Sequence, residues 1–133
     1  MTYKLYYAAD SAAMGIRLIL EEIGMPYELI QSTTDKHLPR PAEQVRINPN
    51  GWLPVLVWDE GAMYEAAAIS IFLCDRHPEA NLAPRFDNPQ RGVYLQTLVY
   101  FSSTIQNAFQ LGYYPDRFAD TLEGEQSAKH RGI

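Results

Sequence analysis

The sequence predicts an α/β domain over residues 1–79, followed by a partial all-helical domain over residues 88–133. Three observations lead to that class. Aromatic and β-branched runs alternate with helical patterns in the first half, in the order β-α-β-α-β-β-α. That order implies a mixed sheet with helices on its faces. The polar stretch 79–86 reads as a linker, and a single long apolar-faced helix follows it before the pattern fades.

Each element has a local cause. Tyr3 to Tyr7 is rich in aromatics and reads as the first strand. Residues 8–11 form a loop in which Asp10 or Ser11 can cap the next helix. Ile16, Ile19, Leu20 and Ile23 follow helical spacing, and Gly24 is a natural stop. Pro26 blocks continuation, and Tyr27 to Ile30 reads as the second strand. Gln31 to Pro41 is polar and weakly patterned, and Pro41 can open a short helix to Arg46. Pro49, Gly51 and Pro54 punctuate the next loop. Val55 to Trp58 is a buried-type strand. Asp59-Glu60-Gly61 is turn chemistry with Gly61 free to take a positive φ, and a return strand follows. Ile69, Phe72 and Leu73 share one face of a helix that opens at Glu65 and ends near His77-Pro78.

In the second half, Asn88 caps and Pro89 opens a helix carrying Val93, Leu95, Leu98, Val99, Phe101, Ile105 and Phe109. That apolar face is too wide for solvent, so the helix is expected to pack on something. Gly112 is expected to end it. Thr121 to Ile133 holds only Leu122, Ala128 and Ile133 as apolar residues, without a helical stripe, and reads as a poorly patterned tail.

Composition excludes several classes. An apolar content of 47% with 20% charged residues predicts a globular chain rather than a disordered one. The net charge of −5, with no Lys/Arg cluster, argues against nucleic acid or an anionic membrane as partner. No run approaches the ~20 apolar residues that span a bilayer. No apolar signal core follows a basic N-terminus, so a cytoplasmic location is expected. The single Cys74 leaves no internal disulfide, as in a reducing compartment. His37, His77 and His130 are far apart, so no metal site is expected.

Asn48-Pro49-Asn50-Gly51-Trp52-Leu53-Pro54, then a hairpin, then Glu65-Ala66-Ala67-Ala68-Ile69, resembles the glutathione-site core of the glutathione S-transferase family. The family pattern is N-P-x-G-x-V-P followed by E-S-x-A-I. Lys4-Leu5-Tyr6-Tyr7 and the helix ending at Leu20 to Glu28 are similar too, and the likeness spans roughly residues 3–114. It implies a thioredoxin-like N-terminal domain and an all-helical second domain, which here would be shortened. It also implies glutathione as co-substrate with no resident cofactor, a small apolar electrophile, and a homodimer.

The family's chemistry sets the roles. A free thiol has a pKa of about 8.5, so donors aimed at the sulfur are needed to hold a thiolate at neutral pH. The resemblance implies a cis bond before Pro54, so that the Leu53 main chain pairs with the cysteinyl unit of glutathione. Glu65 and Ala66 would hold the γ-glutamyl end, although the family's serine is replaced by Ala66. The Ala66 N–H at a helix start remains able to bind a carboxylate. Trp52 stands where relatives contact the glycyl end; Lys36 and His37 could meet its carboxylate, but their loop is unpatterned and favours solvated charges. The thiolate activator is Ser11, which would equally serve as a plain N-cap, or a strand-end phenol. Tyr6 and Tyr7 point to opposite faces, so at most one serves; Tyr7 is retained with Ser11. Ala12 falls where one bacterial class carries a cysteine, so that chemistry is absent. Cys74 reads as core packing, and Tyr100, Phe101, Phe109, Tyr113 and Tyr114 as core or as an electrophile pocket. Two other readings stand beside the transferase. One is a non-catalytic glutathione-binding or interaction module. The other is a glutathione-dependent disulfide reductase.

Overall fold

The structure, a computed structural model, describes residues 1–132. The chain divides into two units, Met1–Phe86 and Asp87–Ile133.

The first unit contains β1 (Tyr3–Tyr7), α1 (Ala13–Ile23), β2 (Tyr27–Gln31), α2 (Ala42–Ile47), β3 (Val55–Trp58), β4 (Gly61–Tyr64) and α3 (Ala66–Arg76). The strands form one sheet in the order β2-β1-β3-β4. β1 and β2 are parallel, joined by the crossover through α1, as parallel neighbours require. β3 runs antiparallel to both β1 and β4. α1 stops at Gly24, whose φ of 74° lets its N–H reach the carbonyls of Leu20 and Glu21.

One face of the sheet makes the core. Alternation along β1 buries Tyr3 and Leu5 against Ile16 and Leu20 of α1, Leu56 of β3, and Ile69 and Leu73 of α3. Each fully buried side chain of this kind contributes roughly 1.5–3 kcal/mol. The Tyr3 hydroxyl meets His77 Nε2 at 2.8 Å in the interior, tying the start of β1 to the end of α3. Burial pushes the Tyr3 phenol above its usual pKa.

Gly61 does not adopt the positive φ that the turn chemistry suggested; Gly51, at φ 71°, does. The reason for glycine at 61 is space, since a Cβ there would lie 3.1 Å from the Trp58 ring.

The second unit contains α4 (Arg91–Tyr100), a π-helical stretch (Phe101–Ile105), α5 (Gln106–Tyr113) and α6 (Leu122–Arg131). Asn88 Oδ1 accepts from Gln90 N at 2.8 Å just before α4. Three expectations fail here. The long helix is interrupted by π geometry, which inserts an extra residue and turns the apolar stripe. It also runs through Gly112 to Tyr113; a Cβ at Gly132 would lie 2.4 Å from Gly112 N, so these glycines permit close approach of α5 and the end of α6. The stretch read as tail is largely α6. Thr121 Oγ1 caps it by accepting from Gly124 N, acidic Glu123 and Glu125 open it, and Lys129, His130 and Arg131 close it. Ile133 lies outside the described residues.

No residue of α4 is buried, and Val93, Val99, Tyr100 and Phe101 are exposed. Phe109 and Tyr113 stack with centroids 6.1 Å apart and are also exposed, so the core reading of these aromatics does not hold. Tyr114 lies under the Arg117 guanidinium at 4.1 Å.

Candidate functional site

Strand register builds the site. Tyr6 pairs with Val55, and Val55 pairs with Tyr64, so three strands end side by side at one margin of the sheet. Leading away from that margin are the loop to Ser11, the segment Leu53-Pro54, and Glu65 at the start of α3. With neighbouring strands ~4.8 Å apart, the three ends span about 10 Å.

The central segment is Trp52-Leu53-Pro54. The Leu53–Pro54 peptide bond is cis. The Leu53 main chain has no hydrogen-bond partner among the described residues, while Gly51 and the Trp52 carbonyl before it are bonded within the loop. Gly51 N donates to the Asn48 carbonyl at 2.8 Å, and Asn48 Nδ2 reaches the Trp52 carbonyl at 3.4 Å. Pro54 is buried, whereas Trp52 and Leu53 are half-buried. Gly51 has no room for a side chain, because a Cβ there would lie 2.9 Å from Arg40 Cδ.

On one side lies the start of α3. Glu65 has φ 77° and ψ 108°, a backbone state that non-glycine residues rarely adopt. Its side chain is exposed and makes no hydrogen bond or ion pair among the described residues. The first helical bond of α3 is Ile69 N to the Glu65 carbonyl, so the N–H groups of Ala66, Ala67 and Ala68 lack acceptors among the described residues. Ala66 is half-buried and brings no hydroxyl.

On the other side lies Ser11. Its Oγ donates to the Ala8 carbonyl at 2.7 Å and accepts from Ala13 N at 3.2 Å. The expected cap at Asp10 or Ser11 is not formed: Ala12 is the N-cap of α1, without a side-chain bond, and the half-buried Ser11 hydroxyl meets the first helical N–H from one residue earlier. The two phenols part as alternation requires. Tyr6 is buried on the α2 face and donates to the Glu43 carboxylate. Burial, then that bond, push its pKa up to about 12. Tyr7 packs against the core with the Arg17 guanidinium 5.6 Å over its ring. The Tyr27 and Tyr7 hydroxyls near Arg17 raise the pKa of its guanidinium. The Tyr6 phenol is thus committed to Glu43, while Tyr7 is held through its ring.

The remaining candidates lie on other segments of the first unit. Lys36 and His37 are exposed in the turn after β2. Cys74 is half-buried in α3. Among the described residues no group of His, Cys, Asp and Glu could hold a metal ion, and no helix is long and apolar enough to cross a membrane. The sequence reading missed Glu43 as the partner of Tyr6. It also missed Gln44, which is fully buried beneath the loop.

Comparison with known proteins gives the same fold and the family. Residues 5–81 match the family described as glutathione S-transferase, N-terminal domain. Glutathione S-transferase Z1 of Arabidopsis thaliana is 34% identical over 104 residues, covering 77% of this chain and 47% of that protein. Glutathione S-transferase GstA of Escherichia coli O157:H7 is 25% identical over 115 residues, covering 85% of this chain and 57% of that protein. A crystal structure of a glutathione transferase homologue from Sulfitobacter, with bound glutathione, superposes with a TM-score of 0.86. It is 20% identical, covering 98% of this chain and 62% of that one. The four-stranded mixed sheet with its helices is thus the thioredoxin-like domain of this class, followed by a helical region. The chain belongs to the glutathione S-transferase family. It spans about half the length of the curated relatives it matches.

Proposed function

We propose that this chain binds glutathione at the strand-end margin and stabilises its thiolate for attack on a small apolar electrophile. The observation that carries the reading is the register of Tyr6, Val55 and Tyr64. It places the unpaired Leu53 main chain between the Ser11 helix start and the open N-terminus of α3. The margin of about 10 Å matches an extended tripeptide, also about 10 Å.

The parts then divide the peptide between them. Leu53 pairs main chain to main chain with the cysteinyl unit. The N–H groups of Ala66 and Ala67 hold the γ-glutamyl carboxylate, favoured by the helix dipole, and Glu65 holds the ammonium. Trp52 borders the glycyl end. Ser11 turns its proton from the Ala8 carbonyl to the sulfur and steadies the thiolate. Tyr7 contributes bulk rather than a proton, because its ring packs against the core with the Arg17 guanidinium over it. Two copies of the chain would form the functional dimer.

Two features favour a second reading, a binding module without turnover. Ala66 lacks the family's hydroxyl, and the Ser11 proton is already taken by Ala8. Calorimetric titration with glutathione and an aryl-halide conjugation assay separate the two. The transferase reading expects binding with turnover, and a Ser11→Ala variant about 100-fold lower in kcat/KM with little change in Kd. Binding without turnover favours the module, and no binding at all ends both.

A further inference from the structure

Gln44 has no role in the family resemblance and none in the chemistry just described, yet it is fully buried. A buried carboxamide is costly unless both ends are bonded. Here both are. Gln44 Oε1 accepts from Ser32 Oγ at 2.6 Å, and Nε2 donates to the Gly51 carbonyl at 2.8 Å. A carbonyl can only accept, so the amide orientation is fixed by Gly51.

These bonds belong to a longer tie. Ser32 N donates to the Tyr7 carbonyl at 2.7 Å, which anchors Ser32 to the end of β1. Glu43, next to Gln44, binds Tyr6 of the same strand. A connected path therefore runs from the end of β1, through Ser32 and Gln44, to Gly51, two residues before Leu53. It turns the Gly51 carbonyl inward. Together with the Asn48 contacts, it fixes both main-chain groups of Gly51 and the Trp52 carbonyl, and the Leu53 main chain that follows has no partner among the described residues.

We infer that Gln44 is a positioning residue for the γ-glutamyl-cysteinyl-glycine peptide, setting where the Leu53 main chain meets it. This rests on the proposed glutathione site. The tie reaches the peptide-pairing segment and not the Ser11 hydroxyl. Its loss weakens binding and leaves activation of bound thiol alone.

The test uses the full chain with Gln44→Met, which keeps the volume and loses both bonds. Gln44→Glu keeps the Ser32 bond and cannot donate to Gly51. Ser32→Ala is the control, since it removes a buried bond of the same tie but leaves the Gln44 donor for Gly51. Glutathione Kd is measured by calorimetry, and hydrogen exchange is followed over residues 49–53. Both Gln44 variants are expected to raise Kd about five- to tenfold and to speed exchange in that segment. The kcat at saturating glutathione stays unchanged. Ser32→Ala is expected to lower the melting temperature comparably while leaving Kd within about twofold. Equal Kd changes in all three variants would reduce Gln44 to a stability role and overturn the inference. So would an unchanged Kd in a folded Gln44 variant. Wild-type protein that binds no glutathione fails the proposed site itself, and that outcome is read before any variant is compared.

Discussion

Glu65 sets stability against binding, and one substitution separates them. Its φ of 77° lies where a side chain is strained, at a cost of about 1–3 kcal/mol. Glu65→Gly releases that strain. Against it stand the larger unfolded-state entropy of glycine, about 0.5–1 kcal/mol, and the lost carboxylate at the α3 N-terminus, about 0.3–1 kcal/mol. Taking the middle of each range leaves a gain of about 0.6 kcal/mol. At about 4–8 °C per kcal/mol for a domain of this size, the melting temperature should rise by about 2–5 °C. Glutathione binding should move the other way. A charge-assisted bond to the γ-glutamyl ammonium contributes about 1.5–3 kcal/mol, so Kd should rise roughly 10- to 150-fold. Glu65→Gln is the control, since it keeps the strain and loses only the charge; it should melt slightly below wild type. Differential scanning calorimetry and titration calorimetry on the three proteins give both numbers. A Glu65→Gly variant that melts lower than Glu65→Gln would refute the strain argument. Unchanged glutathione affinity in both variants would remove Glu65 from the site.

Two further outcomes follow from the same geometry. Ala66→Ser supplies the hydroxyl of the family pattern beside the free N–H groups, and should tighten glutathione about two- to tenfold by calorimetry; an unchanged Kd would show that the main chain alone holds that end. Tyr6→Phe should leave conjugation within about twofold, because its phenol is bonded to Glu43 and not to substrate, while costing about 1 kcal/mol of stability. The pH dependence has a definite sign. The folded pKa of Tyr6 is raised to about 12 from 10.0, so its contribution is fully present below pH 10 and is lost as pH rises from 10 towards 12. Wild-type protein should therefore lose stability over that window more steeply than Tyr6→Phe, as read from denaturant midpoints at stepped pH.

The sequence carried the first unit better than the second, for physical reasons. Strand and helix signals at Tyr3–Tyr7, Ile16–Gly24 and Val55–Trp58 coincide with the buried cluster, because there local pattern and tertiary burial agree. Gly61 misled, because glycine serves two ends: positive φ and a missing Cβ. Only the position of the Trp58 ring distinguishes them. α6 escaped because it has no apolar stripe; Thr121, the acidic first turn and the basic last turn were its legible signal. The π interruption at Phe101–Ile105 left no mark in the sequence that spacing could detect. Within the candidate site, the family resemblance pointed to Leu53, Pro54 and Glu65, while the bonds of Tyr6 and Gln44 depend on partners 37, 12 and 7 residues away.

The distribution of bonds explains why the site can tolerate an altered motif. In the proposed reading its two peptide-holding features are main-chain groups: the Leu53 backbone and the first N–H groups of α3, which lack partners among the described residues. Side chains at 52 and 66 can change to tryptophan and alanine without removing either. What cannot change freely lies beneath, where Gln44, Asn48 and the space at Gly51 keep the loop's polar groups turned inward. Thiol activation has no such insurance. In the proposed reading it rests on one hydroxyl, Ser11, that already accepts from Ala13 N and donates to the Ala8 carbonyl. Peptide affinity should therefore survive substitutions that abolish turnover. A chain of this family can thus drift from enzyme to glutathione-binding module without rebuilding its site.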